Sequence, residues 1–352
     1  MLEASYTGYP LYFHRPSGTS RGVMVEKPCW FIRLRQSDGV VGTGEVSFIP
    51  GLSVEDPAEI EIQLDHICKL ISRGFMDPGQ SLPSLPGIQF ALESAMLDLE
   101  GGGKQILFPS DFTRGSTGIP INGLIWMGDT GFMKQQIEQK IASGFRVLKL
   151  KVGALETEEE LEVLSWIRSR YGTLELEIRL DANGAWTPEE ALQKMEQFAA
   201  FGIHSLEQPV APGKWEGLGM VCREASIPVA LDEELIGLDA DREGPGLLDT
   251  VKPHYLILKP GLLGGFLNSE RWIGLAGERR IGWWVTSALE SSVGLSAIAQ
   301  WTYGLSSSIP QGLGTGKIYR NNLPSPLRME GGSLWYHPRG AWDLSMMNAT
   351  QG

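Results

Sequence analysis

Cysteine and histidine are scarce in this chain of 352 residues, and each shortage removes a class of function. The three cysteines, Cys29, Cys68 and Cys222, lie far apart and form no CxxC pair. So sparse and odd a set argues against a disulfide framework and for a reducing compartment. Cys222 follows an apolar stretch and reads as a buried structural thiol. The five histidines, His14, His66, His204, His254 and His337, show no metal-ligand spacing. No apolar run approaches the ~20 residues of a membrane span. The start, MLEASYTGYPLYF, lacks a basic region followed by a long apolar core, so no signal peptide is expected and the cytoplasm is the expected location. Positive charge is in deficit: 30 Lys and Arg stand against 42 Asp and Glu, a net charge of −12. That balance disfavours nucleic acid and anionic membrane as partners. No nucleophilic-serine motif is present, and GLLGG and GLGTG do not match a dinucleotide fingerprint in their context. A small-molecule carboxylate is the expected partner. Monomer and homo-oligomer are equally compatible with the sequence.

What is present falls into regions of different rhythm. In residues 1 to about 82, YPLYFHRP, MVEKPCWFIRLRQ and GVVGTGEVSF read as strands, with turn signals at Pro16-Ser17-Gly18 and Ser37-Asp38-Gly39. Residues 55–74 and 87–101 carry apolar positions at helical spacing. Strands followed by helices indicate an α+β domain, placed at 1–118. From residue 119 short apolar strands alternate with helical segments through eight βα-like units, the last of them ragged, as far as 321. This is the pattern of an α/β fold of the (β/α)8 barrel type with an N-terminal α+β capping domain. Active groups at the ends of at least five consecutive strands weigh against a doubly wound sheet, which gathers its ligands near one switch point. Residues 322–352 contain turn residues and one strand-like run, GSLWYH, and are expected to return onto the capping domain.

The chemistry stands at the ends of those strands. Lys149 and Lys151 close VLKLK, Asp181 closes IRLD, Glu207 closes HSLE, Asp232 closes PVALD and Lys259 closes YLILK. From Lys151 the intervals are 30, 26, 25 and 27 residues, about one strand–helix unit each. Strand alternation turns Leu148 and Leu150 one way and the two lysines the other, into the barrel mouth. Three carboxylates converging on that mouth would repel each other without a cation. Oxygen ligands without His or Cys favour Mg²⁺ or Mn²⁺, held by Asp181, Glu207 and Asp232. Asp232 is chosen over Glu233 and Glu234 because Val229, Leu231 and Glu233 should share one face. Ammonium groups on either side of such a metal suit proton transfer at carbon. Asn183 can orient a ligand or a lysine, or simply accept left-handed turn geometry. Ser287 and Glu290, at the seventh strand end, are candidate substrate contacts. Gly312, Gly314 and Gly316 allow close backbone approach to an anion, with Gly314 the chosen contact.

Taken together, KxK at 149–151, DxN at 181–183, EQP at 207–209, DE at 232–233 and KPG at 259–261 resemble the enolase superfamily, in its muconate-lactonizing-like branch. The resemblance extends over nearly the whole chain. It implies that Asp181, Glu207 and Asp232 bind Mg²⁺, that Lys151 is the acid/base, that Lys259 faces it and that Lys149 assists. RLDANGAW, VALDEEL, TSALESSVGL and QGLGTG look most like the members of that branch that dehydrate a cyclohexadiene carboxylate to an aromatic acid. A dipeptide epimerase would carry an acidic pair after the eighth strand, and QGLGTG has none. Racemisation of N-acylamino acids, dipeptide epimerisation, cycloisomerisation and simple anion binding are the competing expectations. The loop at about Ser17 to Gly22 and the stretch Phe48 to Leu52 are expected to cover the site.

Overall fold

The computed structural model of the chain describes residues 2–19 and 22–348. In the N-terminal region, β1 (Glu3–Gly8), β4 (Trp30–Arg35) and β5 (Val41–Val46) form an antiparallel sheet in the order β1-β4-β5. A separate hairpin pairs β2 (Leu11–Thr19) with β3 (Gly22–Lys27). The expected turn at Pro16-Ser17-Gly18 is instead part of β2, which keeps pairing to Thr19 through a register irregularity between Tyr12 and Ser17. Of the covering loop expected at Ser17 to Gly22, Ser20 and Arg21 lie outside the described residues. The run MVEKPCWFIRLRQ is two strands, split at Pro28, which has no N–H to give a ladder.

Two helices complete this region, α1 (Ile60–Ser72) and α2 (Pro86–Glu100). α1 buries Ile60, Leu64, Ile67 and Ile71, one stripe at helical spacing. α2 is buried on almost every side, because it packs on β5 and also on the barrel helices. Gly42 and Gly44 permit this contact. A Cβ on either would stand 2.0 Å from a backbone oxygen of α2, that of Ala95 or Ala91.

The barrel is built from β7 (Gly123–Ile125), β8 (Val147–Lys151), β9 (Glu177–Asp181), β10 (Ser205–Glu207), β11 (Val229–Leu231), β12 (Tyr255–Leu258) and β13 (Gly282–Val285). These pair in parallel, each with its neighbour in sequence. Between them run α3 (Thr130–Ala142), α4 (Thr157–Arg168), α5 (Pro188–Ala199), α6 (Trp215–Glu224), α7 (Gly244–Val251), and the consecutive α8 (Pro260–Leu263) and α9 (Gly265–Arg279). α10 (Ser292–Gly304) follows β13. The eighth unit departs from expectation, since it has neither a regular strand nor a following helix. Gln311 bridges Ile121 and Gly312 bridges Thr286, so two residues close the ring between β13 and β7. Pro310 and the glycines of QGLGTG cannot sustain a ladder, but closure still removes the sheet edges.

The C-terminal segment divides its contacts. β14 (Leu327–Glu330), which the sequence did not signal, forms a hairpin with β15 (Ser333–Tyr336). That hairpin pairs with β6 (Ile119–Pro120), just before the first barrel strand. A 3-10 turn at Ser345–Asn348 then returns to the capping region, where Met347 packs with Tyr9, Phe31 and Tyr319.

Candidate active site

Strand alternation accounts for the first layer of the site. Leu148 and Leu150 are buried in the core between strands and helices, while Lys149 and Lys151 point inside the ring. Parallel register sets Lys151 beside Asp181, and Asp181 beside Glu207. The Lys149 ammonium donates to Glu207 Oε1 at 2.6 Å and lies 2.8 Å from Asp181 Oδ2. Lys151 donates to the same Asp181 oxygen at 2.7 Å and to Asn183 Oδ1 at 2.6 Å. On the other side Lys259 donates to Asp232 Oδ2. β8 and β12 stand four places apart in a ring of eight, so Lys151 and Lys259 approach from opposite sides.

Burial makes these pairings strong and mutually dependent. Desolvation disfavours the Lys149 charge, but Asp181, Glu207 and Asp232 outweigh it and hold the ammonium well above its ordinary range. Desolvation also opposes the Asp181 charge, yet Lys149 and Lys151 pull that carboxyl far below the usual range. Burial, then Asp181 nearby, drive the Glu207 carboxyl well above it. Burial would release the Lys259 proton, but Asp232 and Glu233 hold it.

Asp232 and Glu233 show where simple alternation fails. β11 ends at Leu231, and Glu233–Leu235 forms a 3-10 turn. Two consecutive carboxylates therefore reach the site. Glu233 lines the cavity and accepts from Asn183 Nδ2 at 2.9 Å, a contact that strand facing did not foresee. Glu234 turns back to accept from Trp215 Nε1 and Gly213 N. Asn183 serves both roles considered for it: it adopts left-handed backbone geometry, with φ 46°, and links Lys151 to Glu233.

The charged floor opens into a cavity of about 220 Å³. Lys149, Lys151, Lys259, Asn183 and Glu233 contribute to it. Its other walls are largely apolar. Val23 and Met24 come from the β2–β3 hairpin, and Ile49, Pro50 and Leu52 from the segment after β5. Phe48 does not take part; it is buried in the capping core against Trp30. Leu124, Trp126 and Leu289 close the sides. Ser287 and Gly314 also line the cavity, and the Ser287 hydroxyl pairs with Thr315 at 2.6 Å. Asn122 Oδ1 and Thr286 Oγ1 are buried at this wall with no hydrogen-bond partner among the described residues. Neither carried a motif; each simply precedes or follows a short strand.

One expectation is corrected. Glu290 is wholly buried away from the cavity, accepting from Ser47 Oγ and Ala288 N at 2.7 Å each. It joins the two domains instead of contacting substrate. Gly312, like Gly314, lines the cavity, and a Cβ there would also stand 2.2 Å from Thr286 Cγ2.

Among the described residues no three His, Cys, Asp or Glu side chains form a closed metal cage. Lysine ammonium groups stand between the carboxylates. The donor set nonetheless suits a hard divalent cation. Asp181 and Glu207 end two adjacent strands and Asp232 directly follows the third, and Asp232 Oδ1 is buried with no hydrogen-bond partner among the described residues. Four carboxylates face three ammonium groups, leaving negative charge in excess.

Comparison with known proteins agrees with this geometry. Residues 133–339 match the family described as enolase C-terminal domain-like. The o-succinylbenzoate synthase of Desulfotalea psychrophila is 47% identical, over 95% of this chain and 98% of that protein. The crystal structure of MenC from the same organism superposes with a TM-score of 0.83 at 44% identity, covering 95% of this chain and 99% of that one. The L-Ala-D/L-amino acid epimerase of Populus trichocarpa is 30% identical over 84% of this chain and 70% of its own length.

Proposed function

The chain belongs to the enolase superfamily, and we propose that it catalyses the o-succinylbenzoate synthase reaction of menaquinone biosynthesis. In that reaction 2-succinyl-6-hydroxy-2,4-cyclohexadiene-1-carboxylate loses water to give 2-succinylbenzoate. The observation that carries this reading is a pair of lysines facing each other across one cavity, with strand-end carboxylates between them, in a chain so similar to a synthase.

Asp181, Glu207 and Asp232 are the residues that would hold Mg²⁺, with Mn²⁺ as a substitute. When bound, the cation would offset the excess negative charge and stabilise the charge that builds on the substrate carboxylate as the adjacent C–H proton leaves. Lys151, as a free amine, takes that proton at Nζ. It then returns a proton to the hydroxyl on the same face as the C–O bond breaks, and water departs. The electron pair of the C–H bond becomes the new ring double bond, and aromatisation drives the elimination. Lys259 remains an ammonium on the opposite face and stabilises the intermediate by its charge, gaining cation–π character as the ring becomes aromatic. Lys149, buried and held charged by three carboxylates, keeps Asp181 ionised and holds Glu207 in place by its hydrogen bond. Asn183 fixes the Lys151 amine through its amide oxygen. The apolar walls exclude water and suit a six-membered hydrocarbon ring. Ser287 and the backbone at Gly314, which line the cavity, would receive the carboxylate of the succinyl tail.

The opposed lysines would also permit racemisation of an N-acylated amino acid, by exchange of a proton on either face. No acidic residue occurs in Gly312–Gly316 to hold a free ammonium, which favours an amine-free substrate. The test is loss of cyclohexadiene absorbance on mixing protein and substrate, with Mg²⁺ and again with EDTA. Rapid, metal-dependent loss is expected. No loss with Mg²⁺-loaded protein would overturn the dehydration reading and direct attention to racemisation of N-succinylamino acids.

A further inference from the structure

A second hollow, of about 420 Å³, lies behind one wall of the catalytic cavity. It is framed by β2, by α3 and by the segment that follows Gly314. Leu124, Trp126, Gly314 and Thr315 line both spaces, so the two hollows are back to back. His14, Arg15, Lys140 and Lys317 line the outer one, and no Asp or Glu does. This is the reverse of the average for a chain of net charge −12.

The two lysines are not explained by local pairing. Among the described residues, neither Lys140 nor Lys317 has a carboxylate at ion-pair distance. The Lys140 ammonium instead lies 5.0 Å from the centre of the Phe145 ring. Burial, followed by the nearby Lys317 charge, pushes the Lys140 ammonium below its ordinary range. Two like charges held together in this way are relieved by an anion between them. The dividing wall is also fixed: the Gln136 side chain accepts from Trp126 N at 3.0 Å and donates to Trp126 O at 2.9 Å.

We infer that this hollow is an outer anion site, which collects a small dicarboxylate from solution and holds it beside the catalytic cavity. The inference rests on the dehydration reading, whose substrate is a dianion. Such a molecule meets a repulsive field over most of an acidic protein. Inside the cavity the three lysines are already engaged with carboxylates, and the remaining walls are mostly apolar. Lys140 and Lys317 provide two unpaired positive charges at the outer edge, one for each carboxylate. Attraction of this kind raises the rate of encounter and weakens as salt screens it.

The experiment compares the Mg²⁺-loaded wild-type enzyme with the Lys317→Glu single variant and the Lys140→Gln/Lys317→Glu double variant, at low and high NaCl. For the wild type, kcat/KM is expected to fall at least about threefold as salt screens the site. At low salt the double variant should have kcat/KM at least about threefold lower, through KM with kcat held, and should show little salt dependence. The single variant should fall between them. In a second arm, succinate is the probe in equilibrium dialysis at low salt, and wild type should bind one more molecule than the double variant. Wild-type kinetics and salt slope in the double variant, or equal succinate stoichiometry, would overturn the inference. Absence of dehydration by wild type would overturn the function instead, and the dialysis arm would still decide the site.

Discussion

Two clusters of buried charge can be compared in this molecule, one at the ends of the barrel strands and one in the seam between the domains. In the seam, Glu45 of β5 accepts from Ser291 N at 2.8 Å, Ser291 Oγ at 2.5 Å and Gly294 N at 2.9 Å, all at the start of α10. Glu290 accepts from Ser47 and Ala288, and the wholly buried Lys27 lies 4.0 Å from Glu45. Nearly all these partners are backbone N–H groups or hydroxyls, which cannot exchange charge. Carboxylates satisfied in this way at a helix N-terminus hold position. At the strand ends the carboxylates are satisfied mainly by lysines, whose protons can leave, and the cluster opens onto a cavity. The same residue types thus make a rigid joint where their partners are fixed dipoles, and a reactive centre where their partners are titratable and reachable. Leu289 lies between the two. Its backbone is left-handed, with φ 60°, its carbonyl accepts from Tyr319 at 2.6 Å, and its side chain faces the cavity. The seam thereby sets the shape of the catalytic wall.

The comparison is broken most severely at the strand ends. Lys151→Ala and Lys259→Ala should each lower turnover about a thousandfold or more while Mg²⁺ titration by calorimetry is retained. Near-normal turnover in either variant would remove its assigned role. In the seam the expected loss is of stability. Glu45→Ala leaves the buried Lys27 with Glu290 as its remaining counter-charge and strands the donors at the start of α10, at a cost of about 3 kcal/mol in denaturant unfolding. A change below about 1 kcal/mol would show that the seam charge is not structural. Asp232→Asn sharpens the metal assignment, with Mg²⁺ affinity expected to fall about tenfold to a hundredfold. Unchanged titration would transfer the ligand role to Glu233.

The smallest effect concerns Glu93, on α2 where it meets the barrel. Burial, against the opposing hydrogen bonds from Phe266 N and Leu267 N, raises its carboxyl to about 7. A carboxyl raised on folding holds a proton that the unfolded chain has already released. Stability from this group is therefore fullest below its unfolded value and is lost as pH rises to about 7. Glu93→Gln should remove that slope and stabilise the protein by about 2 kcal/mol at pH 8, with little change at pH 4. Equal pH dependence of Tm in the two proteins would reject it.

Strand calculus succeeded where side chains alternate over a full strand. β8 carried Lys149 and Lys151 inward by spacing alone, β9 and β10 ended at Asp181 and Glu207 as their apolar runs indicated, and Lys259 directly follows β12. It failed where the backbone leaves the strand. Alternation turned Asp232 inward as expected, but after Leu231 the 3-10 turn also directs Glu233 inward, against strand facing. Glu290 follows the seventh strand in a polar turn, as a substrate contact would, but it is drawn into the seam by Ser47, a residue 243 positions away. β1 and β14 were missed because EASYTG and LRME are short and mixed in polarity, and they become strands only through their partners β4 and β15.

The sequence by itself determined the repeating strand–helix architecture, the family and the set of six charged residues at the strand ends. The architecture and the charged set follow from periodicity and spacing, which are local properties summed along the chain, and the family from the resemblance of the motifs at those strand ends. Only the tertiary structure decided that the eighth unit is a two-residue closure, that Glu233 joins the site while Glu290 leaves it, and that four basic residues from β2, α3 and the segment after Gly314 share one hollow. The reason is physical: which polar group meets solvent, substrate or a buried partner depends on contacts between residues hundreds of positions apart. Such contacts exist only once the chain has closed on itself.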